Sequence, residues 1–256
     1  MRAVRRFTKC DAVVLVICIL FLCNLAVVGT PGRERAKRAN CLANLGQLTN
    51  AWSLYADDND GRIVNGDTGG YAFSTAETPW VLRDWVYSMT IPEKQAAIAG
   101  GALFSYTRDL RLYRCPLAES SCTRSYAVVD AMNCMDWPGM NARMLKKTSK
   151  IDQPAARFVF VDSGNQAALM RGWTCYVQDD RWWDLPPIQH NNGANFSFAD
   201  GHVEHWKWTD ARTIEFGRQL QPQSPLQEGN EDIRRTQIAA WGTVSDAVVP
   251  GGGRKP

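Results

Sequence analysis

AVVLVICILFLCNLAVV, residues 12–28, is the stretch that decides the architecture. It holds no charged residue, and Asn24 is its one clearly polar side chain. Extended to Thr30, it would be about 28 Å long as a helix at about 1.5 Å per residue. That nearly matches a hydrocarbon core of roughly 30 Å. A buried core helix carries a polar stripe, and this run has none, so it reads as a membrane-spanning segment. The basic residues Arg2, Arg5 and Arg6 before it, and Val28-Gly29-Thr30 at its end, also suit a cleaved secretory signal. Against that, Lys9 and Asp11 interrupt the junction, the apolar run is longer than an ordinary signal core, and a helical pattern continues beyond it. Lys and Arg are nearly balanced on its two sides, so charge does not orient it.

Working outward, Ala36, Ala39, Leu42, Leu45, Leu48, Trp52 and Tyr55 recur at three- and four-residue steps, which is one face of a helix. The apolar helix is therefore expected to continue past Pro31-Gly32 into an amphipathic half, with a kink there. Asp57-Asp58-Asn59-Asp60-Gly61 ends it with turn chemistry. Further helices are expected over Pro92–Ala99, Ala102–Arg108 and Glu231–Trp241. Strands are expected over Ser125–Val129, Arg157–Val161, Gly172–Val177, Ala194–Ala199 and Val203–Trp208, the last two joined by a type I′ turn at Asp200-Gly201. The sum is an α+β fold: a long N-terminal helix packed on a small antiparallel sheet domain. The chain divides into a basic leader-like segment (1–11), a membrane half-helix (12–30), an amphipathic half-helix (31–58), a globular body (59–217) and a C-terminal extension (218–256) whose tail from Val249 reads as disordered.

The 256 residues are 45% hydrophobic and 21% charged, ordinary for a folded protein, and the net charge of +3 is too small to argue for nucleic acid. Of the 8 cysteines, Cys115, Cys122, Cys134 and Cys175 lie in the body, an even set that suits an oxidising compartment and allows three pairings. Cys115 and Cys122 are near enough in sequence to close a small loop, leaving Cys134 for Cys175. His190, Asp200, His202 and His205 invite a metal reading. In a strand, however, His202 and His205 face opposite ways, so no metal site is assigned and His190 is expected to pin its loop by a hydrogen bond. The acidic run at 57–61 fails as an EF-hand, because Ala56 falls on the first ligand position. Trp206 and Trp208 share a strand face and are candidates for a ligand-stacking surface. No nucleophile–base pair or phosphate loop stands out, which points away from an enzyme.

Arg6-Phe7-Thr8-Lys9-Cys10-Asp11 followed by unbroken apolarity resembles the N-terminus of type IV pilins and type II secretion pseudopilins. Phe7, Thr8 and Asp11 take the family's places, while Arg6 stands where the family has Gly. Residues 38–61 (RANCLANLGQLTNAWSLYADDNDG) are similar to the second half of the helix in a pseudopilin-like bacterial subgroup. Arg114-Cys115-Pro116 with Ser125-Tyr126-Ala127 is similar to that subgroup's middle region. His190-Asn191-Asn192-Gly193 through Asp200-Gly201 matches the H-x9-DG signature of prepilin-type processing-associated domains. The resemblance implies a processing site between Arg6 and Phe7, with a prepilin peptidase as partner, and a role for Asp11 in subunit register. It implies a single-pass protein of the bacterial inner membrane, its globular domain exported to the periplasm or cell surface. Its partners would be membrane lipid and other pilin-like subunits, assembled into a filament or secretion pseudopilus. A carboxylate at a membrane edge is costly unless paired, and a neighbouring subunit's cationic N-terminus would offset it. Calcium is bound in a later loop by some pseudopilins, and no residues here place it. The alternative is a permanently anchored ectodomain that binds glycan or envelope components through its Trp-rich surface.

Overall fold

A computed structural model describes residues 9–68, 77–86, 88–134, 143–164, 171–219 and 224–242, with the backbone alone for 9–11 and 20–31. Arg6, Phe7, the Asp11 side chain and the tail from Val249 lie outside the described residues. Helix α1 (Lys9–Asp58) runs without interruption through positions 31 and 32. It ends where expected: Asp60 and Gly61 turn left-handed, and the Gly61 amide donates to the Ala56 carbonyl. Among the described residues, no helix is long and apolar enough to cross a membrane; the side chains of 20–31, part of the apolar run, are not among them.

Four strands, β1 (Tyr126–Val128), β2 (Phe158–Asp162), β3 (Gly193–Phe198) and β4 (Val203–Lys207), form an antiparallel sheet in sequence order. Cys41, Leu45, Leu48, Trp52 and Ala56 of α1 bury themselves against one face, with Tyr126, Val128, Phe160, Trp80 and Tyr113. The opposite face, carrying Ala127, Phe158, Ala194 and Phe196, is covered by Trp173, Trp182 and Trp208, by Phe216 of α4 (Ala211–Gly217), and by Ile233 and Trp241 of α5 (Glu231–Trp241). The period-2 alternation of strands is what divides these two sets. A register shift between Phe158 and Phe160 puts Val159 and Phe160 together on the α1 side. In the chain between α1 and β1 come α2 (Ile91–Ala99), opened by a Thr90–Glu93 capping box, and α3 (Phe104–Thr107).

Two expectations are corrected. Residues 172–177 form no strand; Trp173 and Cys175 make isolated bridges to Val129 and Trp182 because their side chains are needed in the second core. The β3–β4 connection is not type I′, which needs positive φ at both central residues. Gly201 alone is left-handed (φ +95°); its amide donates to the Phe198 carbonyl, and Asp200 Oδ1 accepts from the His202 amide. Beyond the body as drawn from sequence, α5 packs on the sheet, and Arg157 Nη2 donates to the Ala240 carbonyl at its end. Asn230 caps its first turn by accepting from the amides of Asp232 and Ile233.

Candidate functional site

Four polar side chains meet in the seam between α1 and the sheet: Cys41, Cys115, Asp162 and His190. All four are buried, and their ligand-capable atoms lie within 4.8 Å of one another. Cys41 sits one turn before Leu45 on the packed stripe of α1, so the periodicity that buries Leu45 and Leu48 also turns this thiol inward. Cys115 follows the 3-10 turn Leu110–Tyr113, where its amide donates to Ser125 Oγ at 2.6 Å. Asp162 is the last residue of β2, and its Oδ1 accepts from the Gly164 amide at 3.1 Å. His190 closes the loop ahead of β3. Asn191 and Asn192, both left-handed (φ +58° and +56°), turn the chain directly into Gly193.

The contacts converge. His190 Nε2 is 2.9 Å from Asp162 Oδ2 and 3.4 Å from Cys115 Sγ, and Cys41 Sγ donates to the same Asp162 oxygen at 3.1 Å. The Leu117 amide donates to Cys115 Sγ at 3.4 Å. Burial opposes charge on His190, but the Asp162 carboxylate and Cys115 outweigh it and push the imidazole up to about 9. Burial, with Cys115 and Asp162 nearby, drives the Cys41 thiol well up. Hydrogen bonding from Cys41 draws Cys115 down against its own desolvation. One ring nitrogen meets both the carboxylate and the thiol. A nucleophilic triad uses the two nitrogens separately, so this is not that geometry.

His190 therefore does pin its loop, but to β2 and the Cys115 segment and not to the hairpin tip. Asp200 instead contacts His202 Nδ1 at 2.5 Å on the exposed side, and His205 Nδ1 lies 3.0 Å from Asn195 Oδ1. His190, Asp200, His202 and His205 thus do not gather on one point. Cys115, Cys122, Cys134 and Cys175 are free thiols in the structure. Cys122 donates to the Arg124 carbonyl and Cys134 to that of Arg171, while Cys175 is buried in the second core. Trp206 and Trp208 share a face as expected, yet they do not form an open platform. Trp208 is 1% exposed with Nε1 donating to the Pro187 carbonyl, and the Arg235 guanidinium covers the Trp206 ring at 3.9 Å. Asp58 accepts from Tyr106 Oη, consistent with a helix-ending turn at 57–61.

Sequence reasoning paired His190 with its neighbours in the chain and so missed Cys41 and Asp162. A signal was present for three of the four: Cys41, Cys115 and His190 each sit inside a separate quoted motif. Asp162 carried none. Gly193, in the last of those motifs, has a steric role. A Cβ there would lie 2.3 Å from the Trp206 carbonyl oxygen and 3.0 Å from the Lys207 Cα, both backbone atoms of β4. Gly193→Ala is expected to cost about 1–3 kcal/mol, as strand separation or backbone shift. Thermal unfolding measures it, with Gly201→Ala, strained in φ but sterically open, as comparison.

No protein-family model, curated protein or solved structure matches the chain.

Proposed function

We propose that the chain is a membrane-anchored, pilin-like subunit that works by assembly through α1. One observation carries this. The C-terminal half of α1 is packed on the body, whereas Val13, Val14, Leu15, Val16, Ile17 and Ile19 in its N-terminal part are 50–60% exposed. An apolar helical surface with no partner among the described residues, continuous with a docked half, needs lipid or other helices to cover it. In a membrane, lateral packing of such helices would supply cohesion, and Asp11 would set the register between subunits. The order of the quoted motifs along the chain supports the same reading.

Sequencing the mature N-terminus of membrane-purified protein is the direct test. A chain beginning at Phe7, especially with a methylated amine, is the expected result. An intact Met1 would replace filament assembly with a fixed anchor, and a cut near Thr30 would remove the membrane role altogether.

A further inference from the structure

The four-residue cluster makes sense as more than a hydrogen-bond network. We infer that Cys41, Cys115, Asp162 and His190 form a tetrahedral, zinc-type metal centre that clamps the N-terminal helix to the sheet. This inference does not depend on the pilin-like reading.

The donor chemistry comes first. Two sulfurs, one imidazole nitrogen and one carboxylate oxygen are a borderline-soft set suited to Zn²⁺. A tetrahedral ion with bonds of about 2.0–2.3 Å holds its ligand atoms about 3.3–3.8 Å apart. The observed separations of 2.9, 3.1 and 3.4 Å, with every pair inside 4.8 Å, need side-chain adjustments of roughly 1 Å or less to reach that shape. The three contacts link Cys115 Sγ to His190 Nε2, Nε2 to Asp162 Oδ2, and Oδ2 to Cys41 Sγ, so the four donor atoms form one connected group.

The surroundings fit as well. Ligands in such centres are themselves held by outer hydrogen bonds. Here Gly164 N–H occupies Asp162 Oδ1 and leaves Oδ2 for the centre; Leu117 N–H points at Cys115 Sγ, where it would stabilise a thiolate. Gln189 Nε2 donates to the Asp162 carbonyl and ties the His190 loop to β2. Two thiolates, one carboxylate and a divalent ion leave one net negative charge. Glu34, Arg35 and Arg38 line an adjoining cavity of about 500 Å³ that reaches His190. Binding would release the protons held by the two thiols and the proton that His190 Nε2 shares with Asp162 Oδ2.

The connectivity then has a consequence. Each ligand comes from a different part of the chain: α1, the segment after Tyr113, the end of β2, and the loop before β3. Cys41 and Asp162 are 121 residues apart. An ion here would tie the anchor helix to the body at the point where the helix leaves it.

The test uses the full chain, purified in detergent without chelator or added metal. Elemental analysis should find about one zinc per chain. After stripping, Co²⁺ should restore the thiolate-to-cobalt charge-transfer band and the visible bands of a tetrahedral site. Chelation should lower Tm, and Zn²⁺ should restore it. His190→Ala and Cys115→Ser should abolish both metal content and cobalt bands, while Cys122→Ser, outside the cluster, should keep them. The wild-type measurements stand if a variant fails to fold. Absence of both zinc and a cobalt spectrum overturns the assignment, as does a Cys41–Cys115 disulfide found in non-reduced peptides. Metal that survives Cys115→Ser and His190→Ala together also overturns it.

Discussion

Asp84→Ala is expected to destabilise the body by about 3–5 kcal/mol, because it strips the carboxylate from a buried guanidinium. Arg124 and Asp84 are paired in two parallel bonds, Nε to Oδ2 at 2.8 Å and Nη2 to Oδ1 at 2.9 Å, and both side chains are 0% exposed. Arg124 Nη1 also donates to the Tyr126 carbonyl, and its guanidinium lies over Trp80 at 5.6 Å. The pair fastens the loop ahead of α2 to the start of β1. At about 2–4 °C per kcal/mol for a body of this size, Tm should fall by about 6–20 °C. Asp84→Leu with Arg124→Met, which removes both charges and keeps the volume, should recover most of that loss. Arg111→Ala, which breaks an ion pair whose arginine is 90% exposed, should leave Tm nearly unchanged. Equal effects from Asp84→Ala and Arg111→Ala would show that the pair is not sequestered from water.

Local signals made most of the fold legible. Amphipathic spacing placed Leu45, Leu48 and Trp52 of the docked stripe, whereas Ala36 and Ala39 are exposed, and the chain ends that helix at Asp58 as its acidic turn chemistry implies. The segment Glu231–Trp241 is helical over the residues expected, and the structure caps it with Asn230 and a left-handed Gly242. Segment 172–177 misled because alternating bulky residues mark burial as readily as a strand. Its tryptophan and cysteine are buried by neighbours far away in sequence. The candidate site was hidden for a related reason. Spacing arguments find ligands on one element, such as His202 and His205, whereas these four come from four elements and are assembled only by the tertiary fold. Asp162 is indistinguishable in sequence from any acidic residue that ends a strand.

Trp52→Ala is the second large effect expected, about 3–5 kcal/mol for a 1%-exposed indole removed from the α1–sheet core. Trp52 lies one turn beyond Leu48 and on the same stripe as Leu45, both fully buried, so the cavity opens inside the helix–sheet contact. Leu54, on the same helix but 53% exposed, provides the internal comparison; Leu54→Ala should change stability by about 0.5 kcal/mol or less. Hydrogen exchange separates loosening of the helix from loss of the whole fold. With Trp52→Ala, protection over 41–58 should fall first, while β3 in the sheet centre keeps more of its own. Under the proposed membrane anchoring, carbonate extraction of membranes should show unchanged retention, because residues 12–30 are untouched. The two halves of α1 would then be separable: the proposed anchor in one, and the docking to the body in the other. If Trp52→Ala were as mild as Leu54→Ala, the helix would not be docked in solution. Cys41 would then no longer be held beside Asp162, and the clamp inferred at that seam would lose its first ligand.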